Sequence, residues 1–343
     1  MKRVVFLILM SFTAFGAVFS QGEYKSKYPD IPIVDAHAHP DSARDVANFL
    51  KASEVIRQKY NSNLAFWIGL NEPGEFLNEM TAASKNRMRF CISQYGPHRG
   101  LDVTPEEIIE KVKKGYLGFK FAFPAPYRWL DDGEEGISRV DDPRYDSLFA
   151  PLEQANILMA GFHVADPNGP FGNRQNWMKD PVYFWEQIRA FENLLIKYPN
   201  LIFMAAHSVW LVCQDAQIDY LRYMLSRYPN LYIDTSAIYQ YMPLVNSDNL
   251  RSFYIEYQDR VLYGTDFTNV PDNAIERTAD RYAVTFAIFE TDQMVDGRFS
   301  NGPVQGLNLP REVLEKIYYK NALKLFPAIK EALGLKCDLE IKK

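Results

Sequence analysis

Eight short apolar runs, separated by stretches of helical periodicity, constrain this chain more than any other feature. They cover residues 33–39, 64–70, 88–95, 116–122, 157–163, 201–207, 231–236 and 261–266. Most are rich in β-branched or aromatic residues. Each is nearly continuous in hydrophobicity, as strands buried on both faces are. Helical patterns fall between them over 43–59, 76–86, 105–114, 145–154, 183–198, 216–228 and 248–257. Thr104, Pro105 and Glu107 spell a capped helix start. Tyr198-Pro199-Asn200 and Tyr228-Pro229-Asn230 close two helices just before two strands, an echo of one repeated unit. Strand–helix alternation of this length predicts an α/β fold, a parallel (β/α)8 TIM barrel. The alternative is an open doubly wound sheet, which the lack of a Gly-rich phosphate loop after the first run disfavours. The chain has 343 residues, 47% of them hydrophobic, enough for a large core. A long loop is expected over 123–142, and a short helix with a frayed end after Phe326.

The first twenty residues read as a processing signal. Lys2 and Arg3 form a charged start, residues 4–19 are almost wholly apolar, and Val18-Phe19-Ser20 offers small residues where a signal peptidase cuts. The expected organisation is a signal peptide over 1–20 and a single barrel domain over 21–343. An uncleaved anchor is the alternative. No later run approaches the roughly 20 apolar residues of a membrane span. The expected location is therefore secreted or periplasmic, without stable membrane insertion after cleavage.

The net charge of -5 and the lack of a long basic run argue against nucleic acid as a partner. Cys91, Cys213 and Cys337 are widely spaced and form no zinc-ribbon pattern. Idle thiols are expected, with a Cys91–Cys213 bridge left open.

In barrels of this kind, active sites lie at the C-terminal ends of the strands. The first run ends in Asp35-Ala36-His37-Ala38-His39, where alternation puts both histidines on one strand face. Imidazole is the commonest ligand for zinc and its neighbours. Other runs carry Lys120, His163, His207 and Asp266 at or near their ends, so four of the five histidines share one expected rim. His98, in a loop, reads as ordinary. By itself Asp266 could equally cap a helix. Asp35, two residues before His37, is expected on the same face, either orienting a histidine or making a structural hydrogen bond.

This set, together with Leu262-Tyr263-Gly264-Thr265-Asp266-Phe267 and Asn321-Ala322-Leu323-Lys324-Leu325-Phe326, resembles the amidohydrolase superfamily. The closer likeness is to its amidohydrolase-2 branch, which includes the aminocarboxymuconate-semialdehyde decarboxylase relatives. The resemblance implies that His37, His39, His163 and Asp266 hold one divalent metal, zinc or alternatively manganese. It also implies that Asp266 shuttles the proton of an attacking water, with His207 assisting. In two-metal relatives a carboxylated lysine at the position of Lys120 bridges the ions, and the second ion rests on His163 and His207. One ion is favoured here. A free Lys120 would instead meet an anionic substrate group.

Arg128, in the loop after the fourth run, could clamp a substrate carboxylate, with Tyr127 or Trp129 as a wall, or pair with Asp131 or Asp132. Arg174 and Trp177 carry the same two readings. The function expected is a metal-dependent hydrolase acting on a small ester, lactone or amide. The alternatives are a non-oxidative decarboxylase of an aromatic or unsaturated acid, and a noncatalytic barrel that only binds. The partner expected is a small-molecule substrate, and the resemblance leaves room for a homodimer.

Overall fold

A computed structural model describes residues 18–19, 24–94, 103–123, 138–167 and 181–334. Eight parallel strands alternate with helices. In order they are β1 (Pro32–His39), α1 (Ala43–Tyr60), β2 (Asn63–Gly69), α2 (Leu77–Ala83), β3 (Met88–Phe90 and Ile92–Gln94), α3 (Pro105–Lys113), β4 (Phe119–Phe123) and α4 (Asp146–Gln154). Then follow β5 (Met159–Val164), α5 (Pro181–Lys197), β6 (Phe203–Ala205), α6 (Asp215–Arg227), β7 (Leu231–Asp234), α7 (Ser247–Glu256), β8 (Val261–Leu262) and α8 (Ile275–Glu290). Two short helices, α9 (Arg311–Glu315) and α10 (Asn321–Leu325), end the fold.

The strands close into the expected (β/α)8 TIM barrel. β3 changes partners at Cys91, whose N–H reaches Gly69 of β2, while the next N–H, from Ile92, reaches Gly118 before β4. On the other side, Val261–Leu262 pairs with β7 and the continuation Phe267–Thr268 pairs with β1. Small and medium side chains fill the interior: Val34, Ala36, Phe66, Ile68, Leu70, Cys91, Ala160, Met204 and Leu262. Ala322 and Phe326 from the C-terminal segment pack onto this cluster. A larger apolar layer separates the strands from the helices.

The helix ring is laced by tyrosines at helix C-termini. The Tyr198 hydroxyl at the end of α5 donates to Asp146 on α4 at 2.6 Å, and that of Tyr228, after α6, to Glu192 on α5 at 2.9 Å. Tyr60, ending α1, donates to Asp280 on α8 at 2.5 Å and so ties the first helix to the last of the ring. The Tyr-Pro-Asn echo thus has a structural meaning: each unit's tyrosine reaches back to an acid on the unit before it.

Three local expectations are corrected. The helix α8 is an addition to the seven read from periodicity. Its second half, Tyr282 to Glu290, is buried on every side, so no polar face marks the period. β6 stops at Ala205 instead of reaching His207. β8 stops at Leu262 instead of Asp266, whose φ is +64°. Cys91 and Cys213 are buried and not bridged to each other.

Val18–Phe19, inside the expected leader, pairs with Met294–Val295, which also pairs with Val304–Gln305. Among the described residues no helix is long and apolar enough to cross a membrane. His98, Tyr127, Arg128, Trp129, Asp131, Asp132, Arg174, Trp177 and Cys337 lie outside the described residues.

Candidate metal centre

The strand ends do bring His37, His39 and Asp266 together. His37 Nε2 and His39 Nε2 are 3.0 Å apart. Asp266 Oδ1 lies 3.3 Å from the first and 3.1 Å from the second. Close approach of the end of β8 is what makes this possible. Asp266 donates its backbone N–H to the His37 carbonyl at 2.8 Å. A side chain at Gly264 would stand 3.0 Å from the His37 Cβ, so this position has little room for one.

The outward nitrogen of each imidazole is already committed. His37 Nδ1 lies 2.8 Å from Asp234 Oδ2, and His39 Nδ1 lies 2.7 Å from Asn71 Oδ1. Both acceptors assign the proton to Nδ1, which leaves a lone pair on each Nε2 facing the other. Two lone pairs and a carboxylate oxygen gathered this closely repel one another unless a cation sits among them. Spacings near 3 Å are those of donors around one divalent ion at about 2.1 Å. The donor set of two imidazoles and one carboxylate suits zinc and related ions.

His163 lies outside this triangle. Its Nδ1 faces His207 Nε2 at 3.2 Å, and its Nε2 donates to the Ala165 carbonyl at 3.0 Å. His207 Nδ1 is 3.1 Å from the Ser236 carbonyl. These partners again leave two lone pairs face to face, a second place where a cation fits. The His37 and His207 ring centroids are 5.1 Å apart, so the two pairs are neighbours. His37, His207 and Asp234 also lie within ligand range of one another. There, however, Ser236 Oγ occupies the middle, at 2.9, 2.8 and 2.5 Å from them.

His207 is held by an unusual turn. His207, Ser208, Val209 and Trp210 all have φ between 49° and 57°. Left-handed backbone costs about 1–2 kcal/mol for each such residue. Asp234 holds the turn at its start: its carboxylate accepts the His207 N–H at 2.9 Å, and its carbonyl accepts the Ser208 hydroxyl at 2.8 Å. Trp210 stacks on the His207 ring at 4.4 Å between centroids.

Asp35 does not share the face of His37. The register of β1 against β2 breaks between Asp35 and Ala38, and a bulge of this kind undoes strict alternation. The Asp35 carboxylate instead accepts the Thr265 hydroxyl and the Tyr282 hydroxyl, each at 2.6 Å, and the His37 N–H at 3.0 Å. It joins β1, the end of β8 and α8 behind the site.

Lys120 is buried, and among the described residues it forms no ion pair. Burial pushes its amine down to about 8, against the pull of Asp266 and Asp234. Gly161, at φ +67°, leaves its ammonium room: a Cβ there would lie 3.3 Å from Nζ. Burial also lowers His39 and, most strongly, His207. For His37 burial opposes protonation, but the adjacent Asp234 outweighs it and raises the ring. Burial would likewise raise Asp266, yet its contacts with His37 and His39 hold it well below the usual carboxylate range. The electrostatic picture is of ionised carboxylates facing imidazoles, a cluster that favours a cation.

Asp234, Ser236 and Asn71 are the residues that reading the sequence missed. An acid within the run over 231–236 was the available signal for Asp234. Nothing in the sequence marks Ser236 or Asn71.

Residues 28–328 match the family profile described as amidohydrolase. No curated protein matches this chain. An uncharacterised TIM-barrel protein from Bordetella bronchiseptica shares 15% identity, with 88% of this chain and 99% of that one covered and a TM-score of 0.51. A 4-oxalomesaconate hydratase from Rhodopseudomonas palustris shares 13% identity over 88% of this chain and 98% of its own, with a TM-score of 0.45. An amidohydrolase 2 from Bifidobacterium longum subsp. infantis shares 11% identity over 87% and 99%, also at 0.45. The Bordetella protein supports the barrel fold; the profile match carries the family.

Proposed function

This chain belongs to the amidohydrolase family, a family of metal-dependent enzymes, and from that premise we propose that it hydrolyses a small ester, lactone or amide. The observation that supports this most is the triangle of His37 Nε2, His39 Nε2 and Asp266 Oδ1, with the outward nitrogens of both rings tied down by Asp234 and Asn71. These residues would hold a divalent ion, zinc in the first instance, which would supply Lewis acidity and bring the pKa of a water toward neutrality.

The protein's own groups do the rest. Asp266 is 34% exposed on its side chain, whereas His37 is wholly enclosed, so the carboxylate can meet both the ion and the solvent side. In this reading it takes the proton of the attacking water and returns it to the leaving group. His207, kept uncharged by burial with its proton on Nδ1, presents the Nε2 lone pair and so assists the proton transfer as an acceptor. Asp234 keeps His37 in the tautomer that presents Nε2.

One ion is proposed. The facing lone pairs of His163 and His207 favour a second reading with two, in which Lys120 carries a carbamate. His163 would then serve that second position and not the first. Export after removal of residues 1–20 belongs to the same proposal, and the mass of the mature N-terminus tests it.

The test of function is a screen of metal-loaded protein against lactones, activated esters and amides, with aromatic and unsaturated acids alongside. Hydrolysis that is lost in Asp266→Asn supports the reading. Carbon dioxide release from an acid, without hydrolysis of any ester, lactone or amide, overturns it in favour of a decarboxylase.

A further inference from the structure

We infer that Arg281 and the cavity beside Asp266 recognise a carboxylate on the substrate, a claim that rests on the hydrolase reading only for what happens at the other end of the molecule. The cavity measures about 240 Å³, and Thr265, Asp266, Phe267, Tyr239, Arg281 and Phe299 are among the residues that line it. It therefore opens directly onto the proposed base. Ordinary ligand sites run to roughly 300–1,000 Å³, so this space suits one end of a small molecule, with the reacting end at His37, His39 and Asp266.

The helix α8 supplies the cation. Arg281, Val284 and Thr285, spaced i, i+3 and i+4, present one face to the cavity. The Arg281 guanidinium carbon lies 4.1 Å from the centre of the Phe267 ring, a stacking that fixes the plane of the fork. Arg277 lies one turn earlier, and like charges at that spacing repel. Among the described residues neither arginine forms an ion pair. Elsewhere Arg44, Arg139, Arg144, Arg222 and Arg311 hold carboxylates, and Arg251 and Arg260 donate to backbone carbonyls, whereas Arg281 lines a cavity. Asp266 attracts the guanidinium without forming an ion pair with it, and its Oδ1 faces His37 and His39. A planar, stacked, unpaired guanidinium at the mouth of a cavity next to the reacting carboxylate is suited to bidentate capture of a substrate carboxylate. The substrate class is accordingly an ester, lactone or amide that bears a free carboxylate away from the bond to be broken.

Benzoate and its uncharged counterpart benzamide test this in the metal-loaded protein, by calorimetric titration and by the shift in melting temperature. Benzoate is expected to bind and stabilise the wild type more than benzamide does. Arg281→Met is expected to weaken benzoate binding about 10- to 100-fold, the effect of losing a charge-assisted pair. Arg281→Lys, which keeps the charge without the fork, should fall between. Equal benzoate affinity in wild type and Arg281→Met, or no preference of the wild type for benzoate over benzamide, overturns the inference. Should benzoate binding depend on Arg281 while no ester, lactone or amide is hydrolysed, the carboxylate site stands and the hydrolase reading fails. Should hydrolysis occur with the same acid-over-methyl-ester preference in wild type and Arg281→Met, the reverse holds.

Discussion

His37 Nδ1 and Asp234 Oδ2 meet at 2.8 Å with both side chains wholly buried. The pair sets which nitrogen of His37 faces the triangle, and through Asp234 it also sets the left-handed turn that carries His207. One carboxylate on β7 thus positions two histidines from distant parts of the chain.

Asp234→Asn should therefore weaken metal affinity by about 10- to 100-fold, the usual effect of removing a carboxylate behind a ligating imidazole. Competition with a chromophoric chelator measures this. Unchanged affinity would show that His37 needs no such partner.

The Asp35 carboxylate accepts the hydroxyls of both Thr265 and Tyr282. Asp35→Ala leaves both hydroxyls and the His37 N–H without it, and should destabilise the barrel by about 3 kcal/mol or more. Tyr282→Phe removes one bond to Asp35 and the acceptor of the Trp67 indole N–H, so about 1–2 kcal/mol is expected. Urea unfolding separates the two.

Gly161→Ala should cost about 1–3 kcal/mol, because the residue has φ +67° and the new methyl meets Leu70 and the Lys120 side chain. The same substitution should displace the Lys120 amine. A variant as stable as wild type would mean that β5 shifts freely at this point.

Glu290 gives a pH dependence away from the site. Burial raises its carboxyl above the ordinary 4.5, although Ser26, Tyr24 and Tyr318 hydroxyls partly oppose the shift. Between the ordinary value and the raised one, the folded chain holds a proton that the unfolded chain has lost. Stability should therefore fall as pH rises through that window. Glu290→Gln should flatten this part of the profile in urea unfolding followed at several pH values. A variant that keeps the wild-type slope would assign it to other groups.

How much was legible in the sequence follows from what local pattern can carry. Strands buried on both faces announce themselves by continuous hydrophobicity, so the barrel could be read from eight runs. Strand ends also located His37, His39 and Asp266. They could not show where around the rim each would stand, which is why His163 was expected beside His37 and His39 but faces His207. Alternation predicted the face of Asp35, and a bulge between Asp35 and Ala38 reversed it. Asp234 meets His37, a neighbour distant in the chain, and nothing near it in sequence names that neighbour. The helix α8 was hidden because a segment buried all round shows no amphipathic period.

Metal content tests the His37, His39 and Asp266 site most directly. Purified protein, loaded with zinc and desalted, should carry about one equivalent per chain by plasma mass spectrometry, and His37→Ala and Asp266→Asn, each verified as folded, should lose most of it. Wild type that retains no metal, or variants that retain as much as wild type, would contradict the assignment of His37, His39 and Asp266. Two equivalents in the wild type would contradict the single-ion reading in favour of the His163–His207–Lys120 alternative.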